Sequence, residues 1–89
     1  MPFKLLPRAE RQLENIYLYT YDVFGERQAD HYRDGLFAVF GRIAANPNLG
    51  NLYRGRTRRF VASQHLIYYR IERGEIVIAR IDHGRQRRY

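Results

Sequence analysis

The sequence predicts an α+β domain in which two helices cover one face of an antiparallel sheet, and three observations lead there. Apolar side chains recur at helical spacing from residue 7 to residue 45. That pattern is interrupted at a single glycine, Gly25. Beyond residue 57 the period falls from 3.6 to 2, in three successive runs divided by short polar turns.

Each element has its own signal. Phe3-Lys4-Leu5-Leu6 reads as a short strand. Pro7 suits the first position of a helix, where its missing N–H is not needed. Ala9, Leu13, Ile16 and Tyr17 then form one helical face, continued by Thr20 and Phe24. Glu10 lies near the positive end of the helix dipole. Gly25 is expected to end this helix as a left-handed cap. In the second helix, Ala29, Tyr32, Leu36, Val39, Phe40 and Ile43 share a face, while Asp30, Arg33, Asp34 and Arg42 lie mostly off it. Asn46-Pro47 stops it. A join of about two or three residues predicts an antiparallel helical hairpin. The stretch from Asn48 to Thr57 is expected to be a loop. Arg58–Ala62, His65–Ile71 and Glu75–Asp82 are the expected strands, the last two joined through Glu72-Arg73-Gly74.

The predicted architecture is therefore an N-terminal strand, an antiparallel two-helix hairpin and a three-stranded antiparallel meander, with the first strand at a sheet edge and both helices on one face. Residues 1–89 form a single domain in this reading. The last two strands carry apolar residues on both faces, and one helix pair covers only one of them. The second face is expected to be exposed apolar surface, of the kind that marks a partner site. The alternative is closure by the chain's own loop.

Composition narrows the function classes. There is no cysteine, which removes disulfides and Cys-based metal sites. Three scattered histidines lack paired ligand spacing, so no metal or other cofactor is expected. No apolar run approaches the ~18 residues that span a bilayer, and the N-terminal apolar stretch is too short for a signal peptide. A cytoplasmic protein without membrane contact is the expectation. The net charge is +7, and all of it lies in residues 51–89, where ten basic side chains face three acidic ones. Every basic residue except Lys4 is arginine. Arginine's planar fork grips phosphates and carboxylates bidentately. Arg54, Arg56, Arg58 and Arg59 form the densest cluster, readable as a phosphate site, a site for acidic residues or a solvated loop.

The chain also carries a family likeness. Pro7-Arg8-Ala9-Glu10-Arg11-x-Leu13-x-x-Ile16-Tyr17-x-Tyr19-Thr20 resembles the first helix of ParE-type toxins. Phe24-Gly25-x-x-x-Ala29-x-x-Tyr32 is similar to their helix join, and Asn46-Pro47-x-x-Gly50 to the turn that follows. Leu66–Ile71 and Ile76–Arg85 resemble their terminal hairpin. On these segments, which together cover nearly the whole chain, it is identified as a member of the RelE/ParE superfamily, closer to the ParE branch. Leu6 departs from the pattern by standing where a Ser or Thr cap is usual, and Gln12 by replacing a common acidic residue.

The resemblance implies the toxin of a type II toxin–antitoxin pair, causing growth arrest as part of a stress response. ParE-type members are thought to bind DNA gyrase without cleaving anything. A cognate ParD-like antitoxin would neutralise the toxin and alone bring the pair to promoter DNA. Under that reading no residue is catalytic. Partner contacts fall to Leu66, Tyr68 and Arg70, together with Arg58, Arg59, Arg80, Arg85, Arg87 and Arg88.

RelE-type members instead cut messenger RNA on the ribosome. That chemistry needs a base, a cation for the crowded phosphate and an acid for the leaving oxygen. Arg80, His83 and Arg85 are the candidates for it. His83 also reads as a residue closing the sheet end by hydrogen bonding, and His65 is a second possible proton carrier. Tyr89 is a candidate acid or stacking platform. Tyr17, Tyr21 and Tyr32 read as helix-interface residues. Tyr19, about 200° around the helix from Tyr17, is expected to be exposed.

Overall fold

The computed structural model describes residues 1–84. Its elements are β1 (Phe3–Leu5), α1 (Pro7–Phe24), α2 (Glu26–Ala45), β2 (Asn51–Arg54), β3 (Thr57–Ala62), β4 (His65–Glu72) and β5 (Glu75–His83). The strands form one five-stranded sheet in the order β1-β5-β4-β3-β2. The meander therefore has four strands, not three, because residues 51–54 pair with β3 where a loop was expected. That strand is too short for its alternation to register, and it lies between Gly50 and the turn at Gly55. β1 adds at the opposite edge, parallel to β5, with Lys4 beside Val77.

α1 and α2 meet at Gly25 alone, a tighter join than expected. Gly25 has φ 94° and ψ 172°, an extended positive-φ geometry and not the left-handed cap conformation. Only glycine adopts it without strain. Leu6 occupies the α1 N-cap with no side-chain cap bond. The chain is anchored there by the Leu6 N–H donating to the Ile78 carbonyl at 2.9 Å.

The hairpin packs on one sheet face. Ala9 and Leu13 of α1, with Leu36, Phe40, Ile43 and Ala44 of α2, meet Ala62, Ile67, Tyr69, Ile76, Ile78 and Ile81 of the sheet. Phe24 was expected to continue this face, but it is 66% exposed. α1 has run past its cover by that point. Leu18, Tyr19 and Val23 are exposed in the same final turns.

Two-residue turns set the meander register. Arg73 and Gly74, with φ 52° and 74°, make the double positive-φ turn that matches strand twist. Glu72 thereby faces Glu75. The register slips by one residue between Tyr68 and Tyr69: Tyr68 faces Arg80 and Tyr69 faces Ile78. The extra residue is Ala79 of β5, and this bulge keeps Ile76 and Ile78 on the helix side together with Ile81.

Candidate functional site

The sheet face away from the helices is the first place to look for a partner surface. Register puts Leu66, Tyr68 and Arg70 of β4 there, with Val77, Arg80 and Asp82 of β5, Arg59 and Val61 of β3, and Lys4 of β1. The expectation of an open apolar face is not met. Leu66, Tyr68 and Val77 are 2%, 3% and 0% exposed. Tyr68 is closed over by the chain's own groups. The Tyr53 ring meets it edge-on at 5.0 Å, and the Arg80 guanidinium lies 4.1 Å from its centroid. Val77 lies between Lys4 and Arg70, side chains with long aliphatic stems.

Ion pairs run across this face. Lys4 pairs with Glu75 at 3.6 Å and Arg80 with Asp82 at 3.3 Å. Arg70 pairs with Glu72. The Arg70 hydrogen bond holds the Glu72 carboxyl below its usual range, and the positive charges of Arg70, Arg56 and Lys4 reinforce that. Arg59 lies 5.0 Å from the Tyr53 centroid and Arg54 5.7 Å from it. Arg58 points to the helix side, where its guanidinium donates to the Gly50 carbonyl at 2.7 Å. It is a structural tie, unlike its neighbours in the cluster.

The second candidate is the sheet end. His65 and His83 are cross-strand partners with ring centroids 5.3 Å apart, edge to face. The Tyr32 hydroxyl of α2 lies 2.5 Å from His65 Nδ1. Burial, with the nearby His83 adding to it, pushes the His65 pKa down to about 4. His65 is therefore a neutral, hydrogen-bonded ring at neutral pH. Beside it, Asp82 accepts from the Gln12 amide of α1 at 3.1 Å.

Of the sequence candidates, Leu66 and Tyr68 are buried, and Arg59, Arg70 and Arg80 are half-buried on the outer face. Arg58 faces the helices. Arg85, Arg87, Arg88 and Tyr89 lie outside the described residues. Tyr19 is 66% exposed as expected, but Tyr21, read as an interface residue, is 46% exposed. Tyr17 does serve the helix interface: it donates to Asp30 at 2.7 Å, and Arg33 lies 4.8 Å from its ring centroid. Sequence reading missed Tyr53. The signal was an aromatic within a run of arginines, and it was absorbed into a presumed loop.

A helical hairpin packed on one face of a five-stranded sheet, with an arginine-rich opposite face, defines the structural class: a small α+β domain. The chain belongs to the ParE family: residues 3–88 match the family described as "ParE toxin of type II toxin-antitoxin system, parDE". Toxin ParE1 of Mycobacterium tuberculosis is 36% identical over 87 residues, covering 93% of this chain and 89% of that protein. Toxin ParE1 of Caulobacter vibrioides is 34% identical over 74 residues, covering 79% and 76%. Among solved structures, a chain of the chromosomal ParDE system from P. aeruginosa superposes with a TM-score of 0.82 at 22% identity, covering 93% of this chain and 95% of its own. A chain of the RelBE2 toxin–antitoxin complex from M. tuberculosis gives 0.64 at 20% identity, covering 92% and 95%. At those identities the two structures speak for the fold.

Proposed function

We propose that this ParE-family toxin arrests growth by binding DNA gyrase, without cleaving RNA, and that a cognate ParD-like antitoxin holds it silent. The observation that favours binding over cleavage is the engagement of Arg80. Its guanidinium rests on the Tyr68 ring and pairs with Asp82. A cation that stabilises a crowded phosphate needs its N–H fork free for the transition state. The buried, neutral His65 packed against His83 likewise supports a closing role for the histidine pair.

With Leu66 and Tyr68 covered, most of the exposed large apolar side chains among the described residues lie on the helical hairpin, and an antitoxin would meet them there. Leu18, Tyr19, Val23 and Phe24 are exposed there. A groove of about 560 Å³ between β1 and the hairpin adds Phe3, Leu5, Leu13 and Phe37. An acidic-amphipathic antitoxin segment that folds on contact suits such a surface.

The test is a gyrase supercoiling assay with the purified chain, run beside expression in cells. Inhibition of supercoiling, with DNA-damage signalling in the cells, is the expected outcome. Rapid translation arrest with cut transcripts and unaffected gyrase would replace this reading with the RelE-type nuclease.

A further inference from the structure

Among the described residues, the β2–β3 hairpin is a strongly charged surface that the proposed function leaves unused. Residues 51–62 hold four arginines and no carboxylate. Arg58 is tied to the Gly50 carbonyl. Arg54, Arg56 and Arg59 have no carboxylate within ion-pair distance among the described residues. The nearest acidic influence is Glu72, which feels Arg56 but already accepts from Arg70. Two of the three free guanidiniums are positioned by one ring: Arg59 and Arg54 lie 5.0 and 5.7 Å from the Tyr53 centroid. Tyr53 itself is 41% exposed and braced edge-on by the buried Tyr68.

We propose that Tyr53, Arg54, Arg56 and Arg59 form a binding surface for a single strand of nucleic acid, and that the strand is DNA presented by the toxin's target. The choice of DNA rests on the gyrase reading above; the choice of a nucleic acid does not. Charge sets the ligand as a polyanion. The rest of the surface separates a nucleic acid from an acidic peptide. Ring and guanidinium planes give each base something to stack on, while N–H edges serve the phosphates between bases. An acidic peptide would need apolar sockets for its anchor side chains, and Tyr68 and Leu66, the apolar groups beneath, are closed. Guanidiniums already held against a ring also lose less freedom on binding than extended ones.

The experiment is fluorescence anisotropy of the full chain with a labelled 20-nucleotide single-stranded DNA across a salt series. The expected affinity falls with salt at a log–log slope near −0.7 for each phosphate contacted. The Arg54→Gln/Arg56→Gln variant, changed only at exposed positions, is expected to bind about tenfold or more weakly with a shallower slope. Tyr53→Ala is expected to weaken binding with the slope unchanged. Arg8→Gln/Arg11→Gln, which removes the same charge from exposed positions of α1, is expected to change binding less than twofold. Equal loss in both double variants would reduce the effect to net charge and overturn the proposal. So would absence of DNA binding, or capture of a poly-glutamate peptide by the same arginines with no DNA bound. Gyrase inhibition measured on the same samples separates the two readings. Inhibition without DNA binding sinks this proposal alone, and DNA binding without inhibition sinks only the gyrase reading.

Discussion

Gln12 and Tyr69 are the residues whose chemistry is most specific. The Gln12 carbonyl oxygen accepts from the Ile81 N–H at 2.7 Å, on the β5 edge that β1 no longer covers, while its amide nitrogen donates to Asp82. Only a group that both accepts and donates fills this position. A carboxylate here would keep the first bond and face Asp82 with like charge. Gln12→Glu is expected to cost about 1–2 kcal/mol at pH 7 and less at pH 4, read from urea unfolding at both pH values. Tyr69 is fully buried; its hydroxyl accepts from the Gly50 N–H and donates to the Pro47 carbonyl, both at 2.8 Å. This ties the helix-to-sheet turn to the core. A Cβ at Gly50 would lie 2.9 Å from the Tyr69 ring, so the position admits only glycine at this spacing. Tyr69→Phe leaves both backbone groups unpaired. A loss of roughly 1–3 kcal/mol is expected, measured as a lower urea midpoint with unchanged slope.

His65 makes stability depend on pH, and the direction follows from its depressed pKa. In the fold the ring takes a proton only near pH 4, whereas unfolded it does so near 6.5. Between these values the unfolded chain binds the proton and the native one does not. The His65 contribution is therefore intact above about pH 6.5 and is lost as pH falls toward 4, at up to ~1.4 kcal/mol per pH unit. Thermal unfolding followed from pH 7.5 to 4.5 is expected to show this decline, flattened in His65→Gln. An equally steep decline in that variant would place the titrating group elsewhere.

At the scale of elements, the helices follow their sequence closely and the strands follow their turns. α2 buries Ala29, Leu36, Phe40 and Ile43 on the face that spacing assigns. α1 obeys the same rule as far as Thr20 and fails at Phe24, because periodicity describes a stripe and not how far the sheet beneath it extends. β2 was illegible for a different reason: four residues with every side chain exposed leave no burial alternation to read. The β4–β5 turn carries a testable imperfection. Arg73 holds a positive φ of 52°, a conformation that asparagine tolerates better. Arg73→Asn is expected to stabilise by about 0.5 kcal/mol, raising Tm by roughly 2–4 °C in a calorimetric scan.

Across the whole molecule, charge and cover are divided between two faces. The hairpin face supplies the apolar core, and the opposite face is finished by arginines lying on tyrosines. This division bears on the candidate chemistry. If His83 only closes the sheet end against His65, His83→Ala leaves gyrase inhibition within a few-fold of the parent. If it carries a proton in RNA cleavage, the same change cuts activity by about 10²-fold or more. Supercoiling and ribosome-dependent cleavage assays on this one variant distinguish the two.

The order of every element except β2, the buried face of α2 and of α1 as far as Thr20, the antiparallel terminal hairpin and the ParE likeness were legible in the sequence. They depend on neighbours three, four or two residues apart along the chain. The state of the outer sheet face was not. Alternation put Leu66 and Tyr68 on one face of their strand, but covering Tyr68 requires Tyr53 from β2 and Arg80 across the bulge. Those contacts exist only once strand order and register are set. Local periodicity assigns a residue to a face; the lateral neighbours that decide whether it meets water come from the assembled sheet.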